Sequence, residues 1–365
     1  MTIATRLLYK RKMQIRRTTE QIRSYILKNA HKKGLAQAVA EKFQVTRQAA
    51  NGHLKSMVQQ GLLSAEGNTR SKMYKLARTA TAEFHYPISV SLAEDEVWRR
   101  DVAPFLGLLH DNVLAIWNYA FTEMFNNAID HSLGNRIDVM IAKSAVDTEM
   151  VIADNGIGIF QKIRKAFDLP DEKQAIFELC KGKLTTDVVN HSGQGIFFTS
   201  RIVNAFDIMS GGVYFSHEIG RETDWMQDTE AGSTGTSIFL RVDNNTSRTI
   251  KKVYDQYSVE GSYGFNKTTV PVVLAKYGTD QLVSRSQAKR VLVRVEQFSQ
   301  VIFDFSGVDM VGQAFADQIF RVFALEHPTV ELHVIHANAD VLGLITAARK
   351  ASRPGYKGTL PLFES

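Results

Sequence analysis

The chain has 365 residues, 44% hydrophobic and 22% charged, a globular balance sufficient for two or three domains that excludes a collagen-like or wholly disordered polypeptide. Its single cysteine, Cys180, excludes a disulfide framework and a multi-cysteine zinc site and fits a reducing cytoplasm. The net charge of +6 is unevenly spread: residues 1–80 hold 17 Lys/Arg against 3 Asp/Glu, a balance of +14, so the remainder carries about −8.

A basic head on a mildly acidic body points to a nucleic-acid-binding module joined to something else. By charge alone, a solvated basic surface or a contact with an anionic membrane remains open. Leu7 and Leu8 sit among too many charges for a signal-peptide core, and no apolar run approaches the roughly 18 residues of a membrane span. The expected location is therefore the cytoplasm, without membrane contact. Three units are expected, over residues 1–80, 85–245 and 260–355, with small polar junctions at Thr79–Glu83 and Asp243–Arg248.

In the head, the spacing predicts a helix over Thr18–Leu27, a second over Leu35–Phe43, and a third over Arg47–Gln60 behind the N-cap Thr46. Ala50, Leu54, Met57 and Val58 are its expected inward face. Two strands joined by a basic turn are expected at Gly61–Gly67 and Lys72–Leu76. This order resembles a winged helix-turn-helix domain over residues 15–78. The resemblance implies double-stranded DNA as partner and a homodimer, with Arg47, Gln48, Asn51 and Lys55 on the helix that enters the major groove. Arg and Asn or Gln there are the residues that read guanine and adenine edges. Arg70 and Lys72 fall where a wing touches phosphates. A winged helix used only for protein contact is the alternative.

The middle unit is the most informative. Glu123, Asn127 and Asp130 recur at i, i+4 and i+7, so on a helix they share one face. Strand-like Ile137–Ile141 and Met150–Ala153 follow, then Asp154-Asn-Gly156-Ile-Gly158, Ser192-Gly193-Gln194-Gly195, and Gly232-Ser-Thr-Gly235-Thr236. Each alone is common: a solvated helix face, a turn, a lone glycine pair. Their ordered combination resembles the GHKL ATP-binding fold of gyrase-type ATPases, Hsp90-type chaperones, mismatch-repair ATPases and histidine kinases.

That resemblance implies ATP and Mg²⁺ as cofactors. Glu123 would polarise the attacking water or hydroxyl. Asn127 would be the Mg²⁺ ligand. Asn126 and Asp130 would line the site, Asp130 the more direct contact. Asp154 would accept from the adenine amino group, with Thr236 assisting and Gly156 and Gly158 letting backbone pass under the base. The segment from Lys181 to Phe197 would cover the phosphates, Ser192, Gly193, Gln194 and Gly195 holding them at a helix start. Lys183 and Lys181 are each either phosphate contacts or solvated charges. No Gly-x-x-x-x-Gly-Lys-Ser/Thr occurs, so a P-loop is excluded. No dimerisation-helix pattern carrying a phosphoacceptor histidine precedes this unit, which argues against a histidine kinase. The Glu123-x-x-x-Asn127-Ala128 pattern also resembles the anti-sigma serine kinases.

In the last unit, strands are expected at Lys289–Val295, Val301–Phe305 and Val330–Ile335, and helices at Gly312–Leu325 and Ala339–Lys350, a small α/β layer. Asp304-Phe-Ser-Gly307-Val followed by Gly312-Gln-Ala-Phe-Ala-Asp317 resembles the STAS-like domain of unknown function found fused to GHKL modules. Anti-anti-sigma STAS domains carry a phosphorylatable serine where this chain reads Val311-Gly-Gln-Ala314, so no phosphorylation is implied there. A docking or sensing role toward a protein partner and a plain oligomerisation wedge both remain open.

The expected fold is multidomain α+β: a winged helix, a GHKL α/β sandwich with helices on one face of a mixed sheet, and a small STAS-like domain. The expected function is an ATP-dependent DNA-binding transcriptional regulator that hydrolyses Mg-ATP slowly. An anti-sigma-type serine/threonine kinase and a non-catalytic nucleotide-binding scaffold are the alternatives.

Overall fold

The computed structural model describes residues 19–67, 72–184, 193–221, 223–259, 264–276 and 281–351. It is a multidomain α/β protein whose residues divide into two compact units. The described part of the first runs to residue 83 and takes in residues 140–150 and 243–245; the second holds the rest.

The first unit opens with helix α1, described over residues 19–28, followed by α2 (Leu35–Phe43) and α3 (Arg47–Gln59). Gly34, at φ 70°, starts α2, and the Thr46 side chain caps α3 by accepting from the Ala49 amide at 3.1 Å. Strands β1 (Leu63–Glu66) and β2 (Met73–Leu76) pair antiparallel. The apolar stripes of the three helices close on Leu63 and Tyr74 to bury Ile22, Ile26, Leu35, Val39, Leu54 and Met57. Val58, an expected core residue, is only partly buried.

Strand β3 (Ala80–Pro87) leads to α4 (Glu94–Val97), which continues through a π-helical turn, Trp98–Val102, into α5 (Ala103–Leu106). Gly107, at φ 64°, ends α5 before α6 (Asp111–His131) begins. After α6 come β4 (Arg136–Lys143), β5 (Asp147–Asp154), α7 (Ile159–Ala166), α8 (Glu172–Lys181), α9 (Gly195–Ile202), β6 (Ala205–Glu218) and β7 (Trp225–Asp243). The five strands form one sheet in the order β3-β4-β5-β7-β6, with β6 and β7 antiparallel. Helices α7, α8 and α9 contact β6, and α6 packs on α9. Trp117, Phe121, Phe125, Phe160, Phe198 and Phe206 are fully buried in this part.

Helix α10 (Ile250–Gln256) precedes β8 (Lys267–Pro271), α11 (Arg285–Leu292), β9 (Gln300–Asp304), α12 (Gln313–Asp317), a π-helical turn Gln318–Phe323, α13 (Ala324–Glu326), β10 (Glu331–Ile335) and α14 (Ala339–Ala351). The three strands form a parallel sheet in the order β10-β9-β8.

Two corrections arise here. The strand expected at Lys289–Val295 is largely helix α11. Its alternating valines read as a strand, but a capping box at Ser284 and Gln287 starts a helix, and Ala288, Val291 and Leu292 form its buried stripe. Strand β8 was missed, because Lys267-Thr-Thr-Val-Pro271 is short and ends in proline.

An aromatic cluster joins α9 and α10 to the parallel sheet. Phe198 stacks on Tyr254 at 3.9 Å between centroids, Phe197 lies 4.6 Å from Phe265, and Phe265 lies 5.3 Å from Phe298. Among the described residues no helix is long and apolar enough to cross a membrane.

Candidate functional site

On helix α6 the partly buried Glu123, Asn126 and Asn127 alternate with the buried Met124, Phe125 and Ala128. Glu123, Asn126 and Asn127 line a cavity of about 420 Å³ together with Asp154, Thr236, Gly193 and Gly195. Its apolar wall includes Ile152, Ile163, Leu179 and Ile238. A hollow of this size, with an apolar wall on one side and several polar groups converging on it, can hold a small molecule.

Asp154 ends β5 and is half-buried. Its Oδ1 accepts from the Gly156 amide at 2.9 Å and the Thr236 amide at 3.3 Å. Burial raises its pKa above the ordinary 3.8, and the Gly156 and Thr236 donors partly offset that rise. The Thr236 hydroxyl in turn accepts from the Ile159 amide at 2.9 Å, tying β7 to the start of α7. Gly235, at φ 86°, lets β7 close on this loop: a side chain there would overlap the Asp154 carbonyl.

Gly156 and Gly158 are needed for close packing within the protein. A Cβ on Gly156 would overlap Ser132, whose carbonyl accepts from the Ile157 amide at 2.9 Å, and one on Gly158 would lie 2.7 Å from the Ser210 hydroxyl. The Asp154–Gly158 turn is thus moulded to the end of α6 and to β6.

Gly195 begins α9, and a Cβ there would overlap Oε2 of Glu123. The Glu123 carboxylate therefore lies against the first turn of α9, whose amides and dipole favour negative charge. Gly193, at φ 65°, turns the chain so that its carbonyl accepts from the Leu184 amide at 3.1 Å.

Not every expected residue joins this group. Asp130 is exposed and is not among the cavity-lining residues, although it shares the i+7 position with Glu123. Gln194 is the N-cap of α9 and is likewise outside the lining. Ser192 falls outside the described residues.

Lys183 and Lys181, each open in the sequence as a phosphate contact or a solvated charge, are not among the lining residues either. Lys183 donates to the Gln297 carbonyl at 2.7 Å and lies over the Phe298 ring, 4.6 Å from its centroid. Lys181 is fully buried and donates to Glu178 Oε1 at 2.7 Å and to the Val293 carbonyl at 2.8 Å, at the end of α11. Orphan carbonyls at a helix C-terminus are natural acceptors for a lysine. Lys162, which no sequence motif singled out, also lines the cavity, and its ammonium donates to the carbonyl of His131, another lining residue, at 3.0 Å. One turn after Gly158 was the available signal for Lys162.

In the first unit, Arg47, Gln48, Asn51 and Lys55 are all exposed on α3, opposite buried Ala50, Leu54 and Met57. Gly52 is also on the exposed side with open space about it, so its cost in the helix is not offset by packing. Lys72 is exposed just before β2, 5.8 Å from the Tyr74 ring. Arg70 lies outside the described residues.

Residues 287–342 match the family model of the STAS-like domain of unknown function (DUF4325). The C-terminal part of the chain is STAS-like. The match runs from within α11 to within α14, and β8 lies ahead of it. In this STAS-like part, Gly312 caps α12 and Gln313 opens it, so no hydroxyl stands at that helix start. Comparison with curated proteins found no match.

Proposed function

We propose that the chain is an ATP-dependent DNA-binding transcriptional regulator in which a GHKL-type module binds and slowly hydrolyses Mg-ATP. The observation that carries this reading is the Asp154 carboxylate, held by Gly156 and Thr236 at the wall of a cavity that Glu123, Asn127 and the Gly193–Gly195 turn also line. A fixed carboxylate acceptor suits the amino group of adenine and disfavours guanine, which presents a carbonyl at that position. The apolar wall suits the base, and the start of α9 suits the phosphates.

Asn127 offers one neutral oxygen. Among the described residues no cluster of three His, Cys, Asp or Glu could hold a metal. One amide oxygen is a sufficient protein contribution for Mg²⁺, which keeps several waters and takes phosphate oxygens as its other ligands. When bound, the cation neutralises charge on the phosphates. Glu123 orients and partly deprotonates the attacking water.

For the first unit, the winged-helix reading rests on the order of three helices and a hairpin, the charge of +14 over residues 1–80, and four exposed polar residues on one face of α3. Nucleotide state would then bias DNA affinity, and by linkage DNA would bias nucleotide affinity equally.

With γ-labelled Mg-ATP, wild type should release free phosphate, and Glu123→Ala should release it at least about a hundredfold more slowly while still binding nucleotide. Turnover that persists in Glu123→Ala removes the hydrolytic role. Label carried to a second protein instead points to the serine/threonine kinase. For DNA, Arg47→Ala and Asn51→Ala should each weaken specific binding by about 1–3 kcal/mol in a salt-controlled titration. If Mg-ATP leaves the wild-type DNA affinity unchanged, the switch is wrong.

A further inference from the structure

A second cavity, of about 290 Å³, opens among the β6–β7 connection, the end of α10 and the carboxyl ends of β8 and β9. Thr269 and Pro271 come from β8, Asp304 ends β9, and Ser306 follows it. Crevices outside the carboxyl ends of parallel strands are where open α/β sheets bind ligands. This one is separate from the nucleotide cavity, but α9 contributes to both: Gly195 and Phe197 line the first and Arg201 the second.

The lining holds three guanidinium groups and three carboxylates, so the pairing decides its character. Asp224 is taken by His217 and by Arg201 at 3.6 Å, all nearly buried. Glu218 is taken by Arg241, which is outside the lining, as well as by Arg221 at 2.9 Å. Asp304 accepts from the Ser306 amide at 2.9 Å and its hydroxyl at 2.8 Å, and lies 2.9 Å from His336 Nδ1.

Arg248 is different. Its Nε donates to the Ile202 carbonyl at 3.2 Å and one terminal nitrogen donates to the Arg201 carbonyl, and among the described residues no carboxylate pairs with it. Burial lowers its pKa, so the site disfavours an uncompensated charge. A guanidinium has five N–H donors, and among the described residues two of those of Arg248 find an acceptor. Arg221 is half-exposed, and among the described residues the one carboxylate paired with it, Glu218, is shared with Arg241, so its charge is also in surplus.

We propose that this cavity binds a small metabolite through an oxyanion, a carboxylate or a phosphate monoester, gripped by Arg248 and Arg221. Two guanidinium forks facing one crevice match the planar oxygens of such groups. The ligand sits between the β6–β7 connection and the STAS-like sheet and contacts both.

The test is equilibrium binding of inorganic phosphate and of malonate to the full chain at constant ionic strength. Saturable binding of phosphate, of malonate or of both to wild type is expected, weakened at least about tenfold in Arg248→Gln and in Arg221→Ala. Phosphate alone marks a phosphate monoester, malonate alone a carboxylate. Arg248 also ties down two backbone carbonyls, so its variant can lose stability; Arg221 is half-exposed, and its variant keeps the test valid. Neither residue lines the nucleotide cavity, so Mg-ATP affinity in Arg221→Ala should equal that of wild type. No saturable binding of either anion, or binding that Arg221→Ala leaves unchanged, overturns the proposal.

Discussion

Replacing Asp154 by asparagine is expected to lower Mg-ATP affinity by at least about a hundredfold, close to 3 kcal/mol. The size follows from the direction of the donors around it. Gly156 and Thr236 both point amides at Oδ1, so the asparagine carbonyl is held on their side and its NH₂ takes the other position. A donor then faces the adenine amino donor, and a buried polar group is left unpaired. The same geometry predicts the sign of selectivity. The variant should lose its preference for ATP and gain affinity for GTP, whose carbonyl accepts where the adenine amino group donates. Competition titrations of both nucleotides, with thermal melts to check folding, read this out. Equal ATP affinity in wild type and a folded Asp154→Asn would remove Asp154 from the base contact.

The second large effect is on stability. Glu178 and Lys181 are both fully buried, on α8, with Gln174 donating to Glu178 Oε1 at 2.9 Å and Arg294 3.8 Å from Oε2. Glu178→Ala leaves the Lys181 ammonium buried and uncompensated, and should cost about 3–5 kcal/mol in urea unfolding. Glu178→Leu combined with Lys181→Met should recover part of that loss, because the buried ammonium goes with its partner and only the Arg294 guanidinium keeps an uncompensated charge there. A single variant within about 1 kcal/mol of wild type would mean that water reaches the pair.

The pair also sets a pH dependence. Burial pulls Lys181 down from its ordinary 10.5 to about 8, against the raising effect of Glu178. Between these values the unfolded chain binds a proton that the folded chain does not, so unfolding free energy rises with pH across that window. Stability from this group is full above about 10.5 and is lost as pH falls through about 8. This rise of stability with pH should vanish from the pH profile of Lys181→Met.

The helix face of Glu123 and Asn127, the Asp154-Asn-Gly156 turn and the Thr46 cap were legible because each is a local code. Helical spacing, glycine conformations and capping hydroxyls are decided within a few residues. The alternating valines of residues 291–295 misled for the complementary reason: a local strand pattern was overruled by the capping box at Ser284 and by the burial of one helical stripe.

Charge was the least legible property. Lys181 and Lys183 look like solvated or phosphate-binding cations, yet the structure turns one onto Glu178 and the other onto the Gln297 carbonyl over Phe298. Arg248 has no motif around it, and its surplus charge emerges only when Asp224, Glu218 and Asp304 are each assigned to other partners. By itself the sequence determined the helices and hairpin of the first unit, the spacing of Glu123 and Asn127 on α6 and the glycines that let β7 and α9 close on Asp154 and Glu123. The tertiary structure alone decided which cations are neutralised and which face a cavity, because burial and pairing depend on side chains far apart in the chain, as Glu178 and Arg294 are.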